Sequence, residues 1–275
     1  MRARTVHAAV LALAASALAG LLAAQVAAPS DGTVARAVGS ALVSADGRQV
    51  SVTETGPCLG AGELTAHESD TSVTLELRVV PHAGSGPCLG GAQLLVRSVA
   101  LSAPLRGRRL VDRASGLAVP FFRGADLLHA GPLPSGFRFA YVAPGYALGG
   151  STEQWDPAAS TLYLGGPVGA ASGAGVDGAA AVWLVEEYGG HWPDGWPNDA
   201  PLVSAHGRLA RVGPDGLAWR DRTADGSVLS VALLADPPLP TAVLTTMADG
   251  LRPDADGPPG GNPSLTTPPP ATGVE

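Results

Sequence analysis

The sequence predicts a mostly β protein of the α+β class. We expect a small, disulfide-stapled antiparallel β module, followed by an antiparallel sheet that one C-terminal amphipathic helix closes. The 37 glycines and 25 prolines make up nearly a quarter of the 275 residues, and both residue types disfavour helix interiors. Apolar and polar residues alternate in several short segments, which is the period of a half-buried strand. Near the C-terminus the apolar period becomes that of a helix.

The N-terminus has the features of an export segment. Arg2 and Arg4 precede residues 8–28, which contain no charged side chain, and a basic start before an apolar run is typical of a signal peptide. The run also reaches the length of about 20 residues that spans a bilayer, so residues 1–28 are either a cleaved signal peptide or a membrane anchor. Both alternatives place the chain from residue 29 onward outside the cytoplasm, secreted or anchored. Residues 29–47, small and polar, are predicted to be a linker.

Residues 48–120 are predicted to form the first β module. Residues 73–79 alternate strictly, residues 50–52 and 94–101 are expected to be the neighbours of that strand, and a turn is expected at 68–71. A second hairpin is predicted from residues 109–111 and 117–119.

Two cysteines in an exported chain predict one disulfide bond. Cys58 and Cys88 each lie in a Gly-Pro-Cys-Leu-Gly segment, which places both on turns. A bridge between them closes a loop of about 30 residues, worth about 3.5 kcal/mol on the chain-entropy model. The spacing is not that of a Cys-x-x-Cys redox pair, and two isolated thiols do not make a structural zinc site.

Residues 121–252 are predicted to form a second, α+β domain. Its strand candidates are residues 137–141, 162–164, 182–185, 217–219 and 229–233. Apolar residues between 243 and 251 fall on one helical face, with Pro240 in the first turn, Gly250 near the end and Pro253 beyond it. Residues 253–275 contain seven prolines and no aromatic residue, which predicts a disordered tail.

The order of elements from Gly207 to Leu251 resembles a known class of domain. A strand ending in residues 207–210 is followed by Trp219 in residues 216–219, a strand at 227–234 and the helix that contains residues 247–251. This is similar to extracytoplasmic α+β domains of bacterial envelope proteins, such as the outer parts of some anti-sigma factors. The resemblance covers about 60 residues and implies a fold and a location, but no catalytic residues. Only seven residues precede the apolar run, which is too few for a cytoplasmic domain that binds a sigma factor.

Composition excludes several classes of function. All 17 basic residues are arginines, so a Walker-type phosphate loop, a Schiff-base lysine and a Ser-Lys dyad are ruled out. The net charge of −7 argues against a nucleic-acid partner. No cofactor and no metal site is predicted.

Two local motifs are interpreted as loops rather than sites. Residues 173–178 match the Gly-x-Gly-x-x-Gly dinucleotide fingerprint, but they lie in a glycine- and alanine-rich tract where a chance match is easy. His67, Glu68 and Asp70 combine an imidazole with carboxylates at the end of a strand. Because neighbouring strand residues point to opposite faces, His67 and Glu68 are expected to diverge.

The candidate binding site is the loop between residues 188 and 199. It contains His191, Trp192, Asp194 and Trp196 among glycines and prolines. Tryptophans on such a loop can stack on a sugar or grip a protein partner, or they can fold back onto the sheet and bury their area.

The sequence therefore predicts an exported envelope protein that is a non-catalytic binding or interaction module, with a cell-envelope glycan or protein as partner. It contacts a membrane only through residues 8–28, if these remain attached. The alternative is an envelope hydrolase that acts on glycans with Glu186, Glu187 or Asp194. A scaffold without a small ligand is the third possibility.

Overall fold

The computed structural model describes residues 32–56, 61–80, 93–131, 133–145, 157–165 and 180–253. Within this part of the chain the protein is mostly β with largely antiparallel sheets, as the sequence predicts. The described residues from Ala35 onward form one compact unit. The proposed boundary between two domains near residue 120 stays a prediction.

Strands β1–β9 lie in the N-terminal half of the described chain. Their bounds are β1 Val34–Arg36, β2 Ala41–Val43, β3 Gln49–Gly56, β4 Gly62–Glu68, β5 Ser72–Val79, β6 Gln93–Ala100, β7 Arg109–Asp112, β8 Phe121–Arg123 and β9 Leu128–Ala130. A short 3-10 helix, Gly124–Asp126, separates the last two strands.

Strands β10–β17 and the helix α1 follow. Their bounds are β10 Phe137–Pro144, β11 Ala158–Gly165, β12 Ala181–Tyr188, β13 Leu202–Ala205, β14 Arg208–Val212, β15 Gly216–Arg222, β16 Val228–Asp236, α1 Thr241–Asp249 and β17 Leu251–Pro253.

A seven-stranded sheet dominates the second half. Its order is β10-β11-β12-β16-β15-β14-β13, and every neighbouring pair is antiparallel. The chain builds it as two meanders, one from β10 to β12 and one from β13 to β16, and β16 returns to pair with β12. Strand β12 is therefore an interior strand, with partners on both sides.

The first half contains two smaller sheets, and one prediction about them is wrong. Strand β5 pairs with β4, β7 and β1, whereas β3 and β6 pair with each other in a separate sheet of order β6-β3-β2-β8. Residues 50–52 and 94–101 are thus not neighbours of the strand at 73–79. The period of a strand shows which face is buried but carries no information about which strand lies beside it. The β5–β7 and β2–β8 pairs are parallel, while the predicted hairpin between residues 109–111 and 117–119 is present.

The region predicted as a linker contains two strands. Val34–Arg36 is exposed, but all three residues of β2, Ala41–Val43, are buried between β3 and β8. Residues 41–43 are Ala, Leu and Val, an apolar segment too short to stand out within a region that is otherwise small and polar.

Two main apolar cores support these sheets. The first is covered by one face of the seven-stranded sheet, which we call the inner face, and contains Phe122, Leu184, Trp219, Val231 and Leu233 among its buried residues. The second lies between the smaller sheets and includes Val50, Val73, Leu75 and Leu110.

The helix α1 begins after Pro240 and ends at Gly250. Leu244, Met247 and Ala248 are buried in the same core as Trp219 of the inner face. Leu251, which the sequence placed on the helical face, instead begins strand β17, paired with β9. Gly250 accounts for this ending, since its carbonyl oxygen accepts a hydrogen bond from the Gly131 amide at 2.9 Å and the chain continues as an extended strand.

Four sequence predictions concern residues outside the described part of the chain. These are the export segment 1–28, the Cys58–Cys88 disulfide, the glycine motif 173–178 and the tail beyond Pro253. Among the described residues, no helix combines the length and the apolar character needed to cross a membrane.

Candidate functional site

The loop that carries the predicted binding residues folds over the outer face of the seven-stranded sheet. The outer face is the one opposite the inner-face core, and at its centre lie the buried residues Val185, Ala218 and Ala232. Trp192 and Trp196 are half-buried and pack against this cluster. The two indoles therefore cover apolar surface that would otherwise be exposed.

Trp192 is held by two arginines of the outer face. The Cζ atoms of Arg211 on β14 and Arg220 on β15 lie 4.3 Å and 4.8 Å from the centroid of the indole. These distances lie within the 6 Å range of a cation–π interaction, which contributes about 0.5–1 kcal/mol at an exposed site and more when desolvated. Trp192 thus has structural partners on the sheet itself.

Trp196 is held by a hydrogen bond, and its indole occupies the space that a side chain at residue 213 would fill. Its Nε1 donates to Oδ1 of Asp215 at 3.2 Å. A Cβ atom at Gly213 would lie 2.1 Å from Cε2 of Trp196, so only glycine leaves room for the indole there. The loop and the β14–β15 turn therefore have complementary shapes.

His191 and Asp194, the other two residues of the predicted site, are exposed on the same loop. The structure thus divides the predicted set: the two indoles lie against the sheet, and the imidazole and the carboxylate lie towards solvent. Whether these four residues bind a ligand stays a prediction.

The start of the loop is anchored by Tyr188. Its hydroxyl donates a hydrogen bond to Asp126, and its ring stacks on Phe122 with a centroid distance of 4.6 Å. Nε of Arg123 donates to the same carboxylate at 2.7 Å, and Nη1 donates to Asp225 at 2.8 Å. Burial, together with the bond to Asp126, raises the pKa of Tyr188 well above its usual range. The network fixes the point at which the chain leaves β12.

The carboxylates of the hydrolase alternative lie on different sides of the sheet. Glu186 is fully buried at the inner face, where its Oε1 accepts the amide N–H of Leu128 at 2.9 Å. Glu187 is also buried, but as the next residue of the same strand it points to the outer face. Asp194 is on the exposed loop. Because the sheet separates the two glutamates, they cannot face one substrate together.

An open cavity of about 400 Å³ lies at the outer face. It is lined by Trp183, Asp215, Leu234, Ala235, Asp236 and Pro238. Trp183 is on the interior strand β12 and pairs with Leu234 on the neighbouring strand β16. Asp215 is the same residue that accepts the Trp196 hydrogen bond, so the cavity adjoins the end of the loop cover. An indole and two carboxylates at a concave surface are the ingredients of a small-ligand site.

Sequence reasoning missed Trp183, although a signal for it was present. Val182 and Leu184 belong to the inner core, so alternation along the strand directs Trp183 to the other face. Asp215 and Asp236 are distant in sequence, and no local motif joins them. Only the pairing of β15 with β16 brings them to one cavity.

The described residues contain no group of three or more His, Cys, Asp or Glu side chains that could hold a metal ion. His67 and Glu68 have separate partners, as expected: Nε2 of His67 lies 3.4 Å from Glu76, whereas Oε2 of Glu68 accepts a 2.8 Å hydrogen bond from Arg108. Comparison with known proteins found no matching family model, no matching curated protein and no matching solved structure.

Proposed function

We propose that this protein is an exported, non-catalytic binding module of the cell envelope, and that its ligand site is the outer-face cavity beside Trp183. The observation that carries the proposal is the lining of this cavity, which combines the indole of Trp183 on β12 with the carboxylates of Asp236, on the adjoining strand β16, and Asp215, in the turn before β15. Strands hold side chains more firmly than loops do, and a rigid site costs little ordering entropy when a ligand binds.

A glycan of the envelope is the ligand class that this lining favours. Sugar rings present apolar C–H faces that pack on an indole, while carboxylate oxygens accept hydrogen bonds from their hydroxyl groups. Trp183 can supply the first contact, and Asp215 and Asp236 can supply the second. A protein partner at the exposed loop residues His191 and Asp194 is the other interaction that the proposal allows.

The hydrolase alternative has one observation in its favour. A glycosidase needs two carboxyl groups that face the same substrate. Asp215 and Asp236 line the same cavity, whereas Glu186 and Glu187 lie on opposite faces of the sheet. One oxygen of Asp215, however, already accepts the Trp196 N–H, which ties that carboxylate to the loop. We therefore give it second place, with Asp215 and Asp236 as its residues.

The proposal keeps the export segment, either cleaved after residue 28 or retained as an anchor, and the Cys58–Cys88 disulfide. Support for the disulfide comes from the strand register. Gly56 pairs with Gln93, and Gly62 pairs with Val79, so the two segments that carry the cysteines leave from neighbouring ends of paired strands. An oxidising compartment outside the cytoplasm favours the bond.

We also propose that α1 closes the seven-stranded sheet. Burial of Leu244, Met247 and Ala248 in the inner-face core supports this role. The resemblance to extracytoplasmic α+β domains stays part of the proposal and concerns fold and location alone.

The test is calorimetric titration of the protein with cell-wall glycan fragments and common oligosaccharides. We expect saturable binding that Trp183→Leu abolishes and that Trp192→Leu preserves, because only Trp183 lines the cavity. Loss of binding in Trp192→Leu, together with unchanged binding in Trp183→Leu, would move the site to the loop. Release of shortened glycans by the wild type, absent in Asp236→Asn, would establish the hydrolase instead.

A further inference from the structure

We propose that the outer-face cavity selects a ligand that carries an alkylammonium group. The inference rests on the proposed function, since it names the chemistry that distinguishes one envelope glycan from another at the same site. An amine-bearing sugar, or a sugar substituted with a quaternary ammonium group, is the class of ligand it predicts.

The charge of the lining is the first observation. Among the described residues that line the cavity, the ionisable ones are Asp215 and Asp236, and none is an arginine or a histidine. Two formal negative charges are not required to bind a neutral sugar. A cation that binds between the two carboxylates is stabilised by Coulomb attraction to both. The aromatic residue of the lining is Trp183, and tryptophan is the residue type that binds cations best through its ring.

The distribution of arginines on the outer face supports the same inference. Arg211 and Arg220 are both held on the ring of Trp192. Arg220 pairs with Ser230, which is six residues from Asp236 along β16, or about 20 Å at the rise of a strand. Arg211 pairs with Ala218, which pairs with Ala232, four residues from Asp236 along β16, or about 13 Å. Both backbone separations exceed the Debye length of about 8 Å at physiological ionic strength, so screening weakens the effect of the two guanidiniums on Asp236.

The apolar lining identifies the kind of cation. Leu234 and Pro238 offer carbon surface and no side-chain oxygen, whereas the side chain of Ala235 is buried in the inner-face core. A hard metal ion such as Ca²⁺ takes six to eight oxygen ligands, which two carboxylates do not supply. A methylated or alkyl-substituted ammonium group instead carries its charge on a body that packs against carbon, as in the aromatic sites for quaternary ammonium ligands.

The experiment compares choline with 3,3-dimethylbutan-1-ol, its neutral carbon isostere, by titration of the whole protein. The pair differs in charge but hardly in shape, so the ratio of their affinities measures the contribution of the charge alone. We expect choline to bind at least fivefold more tightly at physiological salt. Asp236→Asn and Trp183→Leu should each weaken choline binding at least threefold. Glu63→Gln, which removes one negative charge from the exposed surface of β4 in another sheet, should leave it unchanged.

Equal affinity for the two probes would overturn the inference, as would choline binding that Asp236→Asn and Glu63→Gln weaken to the same extent. Glycan fragments titrated in parallel separate the two proposals. Glycan binding lost in Trp183→Leu, together with equal affinity for the probes, would leave the binding module standing and remove its preference for cations. Preferential choline binding without any glycan binding would keep the cation site and refute the glycan assignment. If Trp183→Leu fails to fold, Trp183→Phe replaces it, and a folded Asp236→Asn variant decides alone.

Discussion

Replacing Gly213 with alanine tests whether the Trp196 indole is seated on the sheet as described. The new Cβ would lie 2.1 Å from Cε2 and 2.3 Å from Cζ2 of Trp196, whereas carbon atoms in contact are normally about 3.5–4.0 Å apart. Gly213 does not have a positive φ, so alanine introduces no backbone strain at this position. The indole must therefore leave its place.

The structure gives the size of the effect. A tryptophan buries roughly 150–250 Å² when fully covered, so a half-buried indole that moves into solvent exposes about 100 Å². At about 25 cal/mol per Å² this costs about 2.5 kcal/mol. The lost hydrogen bond to Asp215 adds about 0.5–1.5 kcal/mol. We expect Gly213→Ala to lower the free energy of unfolding by about 3 kcal/mol and Tm by about 6–12 °C.

Urea unfolding followed by circular dichroism is the assay, with Gly107→Ala as the matched control. Nothing lies within 4 Å of a Cβ at Gly107, so that variant should change stability by at most about 0.5–1 kcal/mol. In a Trp196→Ala background the Gly213→Ala change should be nearly neutral, because the clash has been removed. Equal destabilisation by Gly213→Ala in both backgrounds, or an effect no larger than that of Gly107→Ala, would refute the packing of the loop.

Three further predictions concern the rest of the fold. Hydrogen bonds from the Ser102 amide and from the Arg108 guanidinium lower the pKa of Glu68 to about 2, so its stabilising contribution is complete above its usual value of 4.5 and is lost as pH falls towards 2. Glu68→Gln should therefore lower the urea midpoint at pH 7 and flatten its pH dependence between pH 5 and 2; an unchanged pH slope would contradict this. Reduction of the protein isolated from the producing cells should add about two mass units for the proposed Cys58–Cys88 bond and lower stability by about 3.5 kcal/mol, while an unchanged intact mass would show free thiols. Trp219 is fully buried, and its Nε1 has no hydrogen-bond partner among the described residues, so Trp219→Phe should cost less than half of the roughly 4 kcal/mol expected for Trp219→Ala in the same unfolding assay.

The strands were predictable wherever one face is buried and the other is not. Residues 73–79 alternate in sequence, and the burial of β5 alternates in the same phase. The helix was predictable for a related reason, since Leu244, Met247 and Ala248 recur at helical spacing and are buried together. In both cases the apolar period is a direct record of burial along one element.

Pairing between elements was not predictable in the same way. Strand β2 consists of Ala41, Leu42 and Val43, too short a segment to show a period, yet β3 and β8 bury it completely. The parallel β5–β7 pair joins segments that are more than 30 residues apart. Such partners are selected by the packing of the whole sheet, which no local window of sequence contains.

The predicted site illustrates the same limit. Trp192 and Trp196 are recognisable in the sequence as a cluster on a Gly/Pro loop, but their arginine and aspartate partners come from β14, β15 and the turn between them. Trp183 was not predicted as a site residue because its neighbours in the sequence are apolar. Its importance depends on Asp215 and Asp236, which the β15–β16 pairing brings to the same cavity.

The two faces of the seven-stranded sheet are covered by different means, and this difference explains the position of the cavity. On the inner face, the sheet residues belong to a buried core that also contains Leu244, Met247 and Ala248 of α1. On the outer face, the cover described here is a loop that contributes two indoles, one fixed on Arg211 and Arg220 and the other on Asp215. Trp183 and Leu234 pack against the same outer-face cluster as the two indoles, and both also line the open cavity. There the sheet forms the floor of the proposed site, and Asp215 in its lining accepts the hydrogen bond from Trp196 of the loop. Gly213→Ala should therefore weaken ligand binding as well as stability, which links the fold of the loop to the function proposed for the sheet.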